Sequence, residues 1–325
     1  LTFPVIKLSY KHTRNECYEN RCAFIGSVLM IQDSEGNMQK TKNQTQIYAF
    51  VTVLLWASAF VFTKIALTYY TAEAIGVLRY VIASLLFIVI GVFQKIGLPE
   101  KKDIPKFLLA GALGFSLYMI TFNQASKSLT AATGSVVIAS APILTALFAW
   151  MIFKERIRSL GWVAIITGFI GILILTLWNG ILSVNAGIFW MFGAAVCISG
   201  YNLLQRSLLK KYSALQSTAY SVLAGTLFLL WYLPDAAVQF GNAPLQQLLV
   251  MIFLGVFPSA LAYMLWAKAL MLAQKTSEVT NYMFVTPLLA ALMGFLIMGE
   301  IPALSTWLGG LMIFAGLLLF KKANT

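Results

Sequence analysis

Arg79 is the only charged residue that lies well inside an apolar run of this chain, about two turns from the start of that run. A charge at such depth in hydrocarbon costs several kcal/mol unless it is matched. A guanidinium there can receive a solute carboxylate; it can also snorkel outward, or fix its helix by pairing with Glu73 or Glu300. The eleven acidic residues stand in the polar first segment, in loops or at the ends of apolar runs. A central proton-relay carboxylate is therefore missing, and proton coupling would have to use Glu155, Glu278 or Glu300. The single histidine is His12, and Cys17, Cys22 and Cys197 have neither zinc nor redox spacing. Histidine catalysis and histidine-ligated metal within the apolar part are excluded, no cofactor is expected, and a membrane-embedded enzyme lacks its reactive groups. A phosphate-binding G-x4-G-K-S/T motif is also absent, so ATP drive within this chain is not expected.

Uncharged polar and aromatic groups recur at mid-run in both halves: Trp56, Ser58, Tyr118, Asn123 and Ser140, then Tyr201, Asn202, Tyr263, Trp266, Asn281, Tyr282 and Thr286. Amide, indole and phenol groups have no partner in lipid, so they turn inward, bond across helices or line a cavity. With Arg79 they are the candidate substrate-binding residues. Pro142 and Pro287 lie mid-run at equivalent places; each removes a backbone donor where no water can replace it. Both are expected to kink helices that face a translocation path and gate it. Glu155 and Glu300 end the same runs, and a carboxylate at a helix C-terminus opposes the helix dipole. They are read as latches that hold each turn. Pro258 has no counterpart and is read as a mark of insertion.

These residues are held by a duplication. Ser135–Leu173 returns as Thr280–Leu318 at an offset of 145, with Pro142, Glu155, Trp162 and Gly171 answered by Pro287, Glu300, Trp307 and Gly316. Upstream, Trp56–Phe60 answers Cys197–Tyr201 at an offset of 141, so about four residues entered near the third or eighth run. The chain is 60% hydrophobic and 10% charged, and its apolar residues come in runs near 20 long, the length that crosses a bilayer. Ten spans are expected, near 47–66, 74–93, 105–126, 130–151, 159–178, 186–205, 214–233, 246–268, 277–298 and 303–320. With the N-terminus inside, sixteen Lys and Arg fall in cytoplasmic loops, against Lys64 and Lys127 outside. Both termini are then cytoplasmic. Five spans per copy make the second copy enter from the opposite face, so the fold expected is an all-α polytopic membrane protein built from two inverted five-helix repeats.

The organisation follows: a polar tail over 1–45, a first repeat over 46–178 and a second over 179–325. Met38 is the expected natural start. The net charge of +12 sits in short loop clusters, which fits orientation in a membrane rather than nucleic-acid binding. The glycines of the fifth and tenth runs supply close helix packing.

The WASAF segment at 56–60, Arg79-Tyr80, and the two P-x12-E segments with their Trp and Gly followers resemble the EamA family of the drug/metabolite transporter superfamily. The resemblance covers 45–322. It implies an inner-membrane carrier whose helices 1, 3, 4, 6, 8 and 9 enclose a central cavity, with helices 5 and 10 peripheral. Trp56, Tyr118, Ser140, Tyr201, Tyr263 and Tyr282 fall on the matching helices; Cys197 stands where the family often has Trp. The function expected is export of a small amphipathic metabolite, an amino acid or derivative, by alternating access. The alternatives are a lipophilic-cation or multidrug exporter of the same fold, a channel, or an enzyme. The partners expected are that metabolite and membrane lipid, without nucleic acid; a homodimer is compatible with this reading.

Overall fold

The computed structural model describes residues 43–154, 157–178, 186–273, 279 and 281–324. Glu155, Glu278, His12, Cys17, Cys22, Met38 and most of the polar tail lie outside the described residues, as does the Asn281 side chain. Among the described residues there is no strand. Seven helices are long and apolar enough to cross a membrane: α1 (Asn43–Ala66), α2 (Ala72–Phe93), α3 (Lys101–Ser126), α4 (Ala131–Ile152), α6 (Ala186–Leu208), α7 (Ala214–Gly241) and α8 (Leu245–Leu272). Three further apolar helices are α5 (Ser159–Leu177), α9 (Thr286–Met298) and α10 (Leu304–Asn324).

Local chemistry sets the helix starts. Thr71 caps α2 by accepting the Ala74 N–H, and Thr130 caps α4 by accepting from Thr133. Ser213 and Gln216 form a capping box at the start of α7. The turn after α9 is closed by Gly299 in the left-handed region at φ 67°, with the Glu300 N–H reaching back to the Gly294 carbonyl. At the equivalent place after α4 stands Lys154, also left-handed at φ 54°.

Packing relies on small residues. A Cβ on Gly171 would lie 2.6 Å from the Gly309 carbonyl oxygen, and one on Gly309 would lie 2.8 Å from that of Gly171. Two turns away, a Cβ on Gly316 would lie 2.8 Å from the Ala164 oxygen. Backbone thus meets backbone where α5 crosses α10, and these two helices pack chiefly on each other. Gly111 and Gly225 bring α3 and α7 equally close, and Ser84 bonds Thr226 at 2.8 Å between α2 and α7. Large apolar side chains on the outside stay uncovered, Phe93 at 82% and Trp231 at 87%. A surface of that kind suits lipid, not water.

Two helices are interrupted in matching ways. α3 contains a π-helical turn at Ala112–Leu117 and α8 one at Phe257–Leu261. In each, a serine hydroxyl turns back to the carbonyl five residues earlier, Ser116 to Gly111 and Ser259 to Leu254. Their offset of 143 falls between the 141 of the upstream match and the 145 of the downstream one. The expected insertion is therefore spread around these turns.

Candidate functional site

The broken helices converge on an internal cavity of about 60 Å³. Its wall is aromatic and polar: Trp56 from α1, Arg79 from α2, Tyr118 and Phe122 from α3, Tyr201 and Asn202 from α6, and Tyr263 and Trp266 from α8. Trp56 sets its ring edge-on to Tyr263 at 5.3 Å and tilted against Trp266 at 5.1 Å. Such contacts fix ring positions beyond what burial alone supplies. Ile138 and Ala139 of α4, and Met283 and Thr286 before and in α9, close the wall.

Arg79 is 4% exposed and donates to two neutral hydroxyls, Ser259 Oγ at 3.0 Å and Thr63 Oγ1 at 3.3 Å. Among the described residues it forms no ion pair. The two carboxylates offered for it on sequence grounds are used elsewhere, which corrects that expectation. Glu73 accepts from Gln124 at 2.6 Å, and Glu300 is paired with Lys64. The guanidinium is thus positioned by the π-turn of α8 without being neutralised by it. Burying a charge without a counter-ion in this way costs several kcal/mol. The Trp56 indole N–H and the Thr286 hydroxyl are also buried and have no hydrogen-bond partner among the described residues.

Eight of the candidate residues line this cavity: Trp56, Arg79, Tyr118, Tyr201, Asn202, Tyr263, Trp266 and Thr286. Four others, Ser58, Asn123, Ser140 and Tyr282, are placed elsewhere. Ser58 and Ser140 bond carbonyls of their own helices, Leu55 and Val137, each at 2.7 Å. Asn123 donates to the Ala72 carbonyl at 2.8 Å and ties α3 to the start of α2. Tyr282 packs in a smaller cluster with Val53 and Trp266. Pro142 opens the second segment of α4 after a turn at Ala139–Ser140, and Pro287 opens α9 after a 3₁₀ stretch, Asn281–Val285. Each proline stands in a first helical turn, where its missing N–H is tolerated.

Sequence reasoning missed Thr63 and Ser259, the two hydroxyls that hold Arg79. Pro258, read as a mark of insertion, lies in the π-turn of α8 and also lines the cavity, a place sequence reasoning did not give it. The signal was available, because a proline inside an apolar run must release a backbone acceptor. The counterpart turn in α3 has no proline, and that hid the pairing.

Among the described residues, a charged cluster stands at each end of the bundle. At the end with the α1 C-terminus, the Glu300 carboxylate pairs with Lys64 and accepts the first N–H of α4, from Ala131 at 2.8 Å. At the other end, Lys211 bridges Glu100 and Asp103, each at 2.6 Å, and the Tyr212 hydroxyl donates to Asp103 at 2.7 Å. Hydrogen bonding to Asp103, then to Glu100, raises the Lys211 pKa. The Glu100 carboxyl is lowered in turn, first by Lys211 and then by Lys102.

The site is thus a small aromatic cavity within a helical membrane bundle, with one buried guanidinium in its wall that forms no ion pair among the described residues. The profile of the EamA-like transporter family matches residues 44–177 and again 185–321, and the chain belongs to that family. It is 31% identical to the uncharacterized transporter YdfC of Bacillus subtilis over 88% of this chain and 94% of the relative. It is 28% identical to a probable terminal-alkyne amino-acid exporter of Streptantibioticus cattleyicolor, over 85% and 93%. A solved crystal structure, 18% identical, superposes with a TM-score of 0.59 over 85% of this chain and 94% of the other. At that identity the likeness is one of fold. The protein is a multi-pass membrane transporter.

Proposed function

We propose that this transporter moves a small amphipathic metabolite bearing a carboxylate, an amino acid or a close derivative, out of the cell across the cytoplasmic membrane by alternating access. The observation that carries this reading is Arg79, buried in the cavity wall, bonded only to hydroxyls and facing no carboxylate among the described residues. The Trp56 N–H is a second donor without an acceptor among the described residues. Together they suit the two oxygens of one carboxylate. Aromatic rings around them suit an apolar side chain. Among the described residues lining the cavity none is Asp or Glu, which disfavours a lipophilic cation. The relative described as an amino-acid exporter supports the same substrate class.

The architecture assigned is ten spans in two inverted five-helix repeats, with both termini cytoplasmic. It is supported by the matched π-turns, by the equivalent left-handed residues Lys154 and Gly299, and by the loop charge bias. A cavity of about 60 Å³ is less than half the size of one that holds benzene, about 150 Å³. Helices must therefore part to admit a solute and close again around it.

Proteoliposomes offered a panel of labelled amino acids test the reading. Saturable counterflow is expected, and Arg79→Lys, which keeps the charge but loses the fork, should weaken it about tenfold or more. Linear, unsaturable flux would indicate a channel. Wild-type selectivity for carboxylate-bearing solutes in Arg79→Lys would make Arg79 a structural residue.

A further inference from the structure

The central cavity has a larger neighbour. A groove of about 290 Å³ lies between α4, α9 and α10, about twice the volume that holds benzene. The two voids share a wall. Ala139 lines both, and of two neighbours in the chain Thr286 lines the cavity and Pro287 the groove. Both helices that build this wall are irregular there: a turn at Ala139–Ser140 interrupts α4, and a 3₁₀ stretch, Asn281–Val285, precedes α9. At Ala139 the partition is a single small side chain.

The groove is apolar. None of the described residues lining it is charged, and the Thr306 hydroxyl is engaged with that of Thr133 at 2.8 Å. Its room comes in part from a glycine that packing does not demand. A Cβ on Gly309 would lie 2.6 Å from the Leu175 side chain and 2.8 Å from the Gly171 oxygen, so glycine is required there. A Cβ on Gly310 would meet only Val136, at 3.4 and 3.6 Å, which is ordinary contact. Its backbone is not left-handed either. Gly310 therefore relieves neither strain nor a clash; it leaves space.

We infer that this groove receives the far end of a long aliphatic tail on the substrate whose carboxylate is held by Arg79, with the tail passing the wall at Ala139. Arg79 and Ala139 line the same cavity, so a head group held at the first places its tail toward the partition. The cavity alone, at about 60 Å³, has no room for such a tail beside the head group. A tail needs no polar partner, and each methylene removed from water adds affinity. The inference rests on the reading that Arg79 meets a carboxylate. A phospholipid acyl chain has the same chemistry as the tail, but a chain entering from the bilayer has no need of a wall shared with the cavity. The shared wall favours the substrate.

The experiment is equilibrium competition binding to the purified full chain, with straight-chain α-amino acids from alanine to α-aminodecanoate as probes. In the wild type, affinity is expected to rise about fourfold for each methylene beyond norvaline. Gly310→Leu and Ala291→Leu fill the groove from α10 and from α9. Each should lower the affinity ratio of α-aminooctanoate to alanine about tenfold or more and leave alanine binding unchanged. Ala291→Leu covers the case in which Gly310→Leu fails to fold. Trp307 lines the groove and reports place: bromine at the end of the aminooctanoate chain should quench its fluorescence, read as the difference from Trp307→Phe. An affinity that stops rising at norvaline, or an unchanged ratio in the folded groove variants, overturns the inference. A brominated phospholipid that quenches Trp307 and is not displaced by α-aminooctanoate assigns the groove to lipid and also overturns it. In both cases, Arg79→Lys weakening alanine and α-aminooctanoate by the same factor still upholds the carboxylate reading. Wild-type binding of both in Arg79→Lys removes that reading and this inference together.

Discussion

Lys64 and Glu300 stand 236 positions apart in the chain and form an ion pair that joins the end of α1 to the turn between α9 and α10. The same carboxylate accepts the Ala131 N–H at the start of α4. The difficulty of an acid at the C-terminal end of a helix is thus resolved by a lysine and by the positive end of another helix. Three helices are tied at one end of the bundle, the end assigned here to the outside.

Opening that end should cost the Lys64–Glu300 contact. Lys64→Ala and Glu300→Ala are expected to favour the outward-open form by about 2 kcal/mol, or about thirtyfold, the value of a hydrogen bond to a charged group. The check is the rate at which an impermeant thiol reagent, applied from outside, labels Ser135→Cys in the cavity wall. An exchanged pair, Lys64→Glu with Glu300→Lys, should recover only part of the closure, because a lysine cannot accept the Ala131 N–H. Unchanged labelling in all three would show that other contacts close the mouth.

Gly114 lies in the π-turn of α3 against a cavity residue. A Cβ there would sit 2.4 Å from the Tyr201 ring, so Gly114→Ala must push the ring aside. Overpacking of this kind costs about 1–3 kcal/mol. The expected signature is weaker substrate binding, with Tyr201→Leu in the same background restoring part of the loss. Binding equal to wild type in Gly114→Ala would show that the ring shifts without narrowing the cavity.

Lys154 holds a left-handed backbone that its counterpart Gly299 adopts without strain. A side chain in that region costs about 1–2 kcal/mol. Lys154→Gly should therefore raise the thermal midpoint of the detergent-solubilised protein, by an amount equivalent to about 1 kcal/mol once the added chain entropy of glycine is counted. A lower midpoint would mean that the lysine side chain contributes more than its backbone costs.

The charged cluster at the other end sets a pH window. The Lys211 pKa is raised by Asp103 and Glu100, so its contribution is complete below the ordinary lysine value of about 10.4 and is lost as pH rises through the raised value. Glu100 is lowered, so its contribution is present above about 4.3 and is lost as pH falls through the lowered value. Melting curves of the wild type and Lys211→Met should therefore differ by a constant gap between about pH 5 and pH 10, narrowing on both sides. A gap that changes between pH 6 and pH 8 would contradict the assignment.

The duplication, the helical membrane class and much of the cavity wall were legible in the sequence because rare residues carry them. Pro142, Glu155, Trp162 and Gly171 keep one register with their partners in a chain where leucine matches mean little. Trp56, Tyr201 and Tyr263 could be placed inward because their polar atoms have no alternative in lipid. Hydroxyls were harder. Ser140 and Ser259 look alike in sequence, yet one bonds its own helix and the other also holds a guanidinium, and only three-dimensional packing separates them. The π-turns left no compositional mark except Pro258, since an added residue in a helix changes hydrogen bonding rather than hydropathy.

Ser116 and Ser259 occupy equivalent places in the two π-turns, yet their hydroxyls now serve different masters. Ser116 donates to the Gly225 carbonyl at 2.8 Å and clamps α3 to α7; Ser259 accepts from Arg79. One elbow ties two helices together and the other positions a buried guanidinium, so the two halves do not present matching groups to the cavity. Under the proposed function, a solute held there would meet a different chemistry at each of its ends.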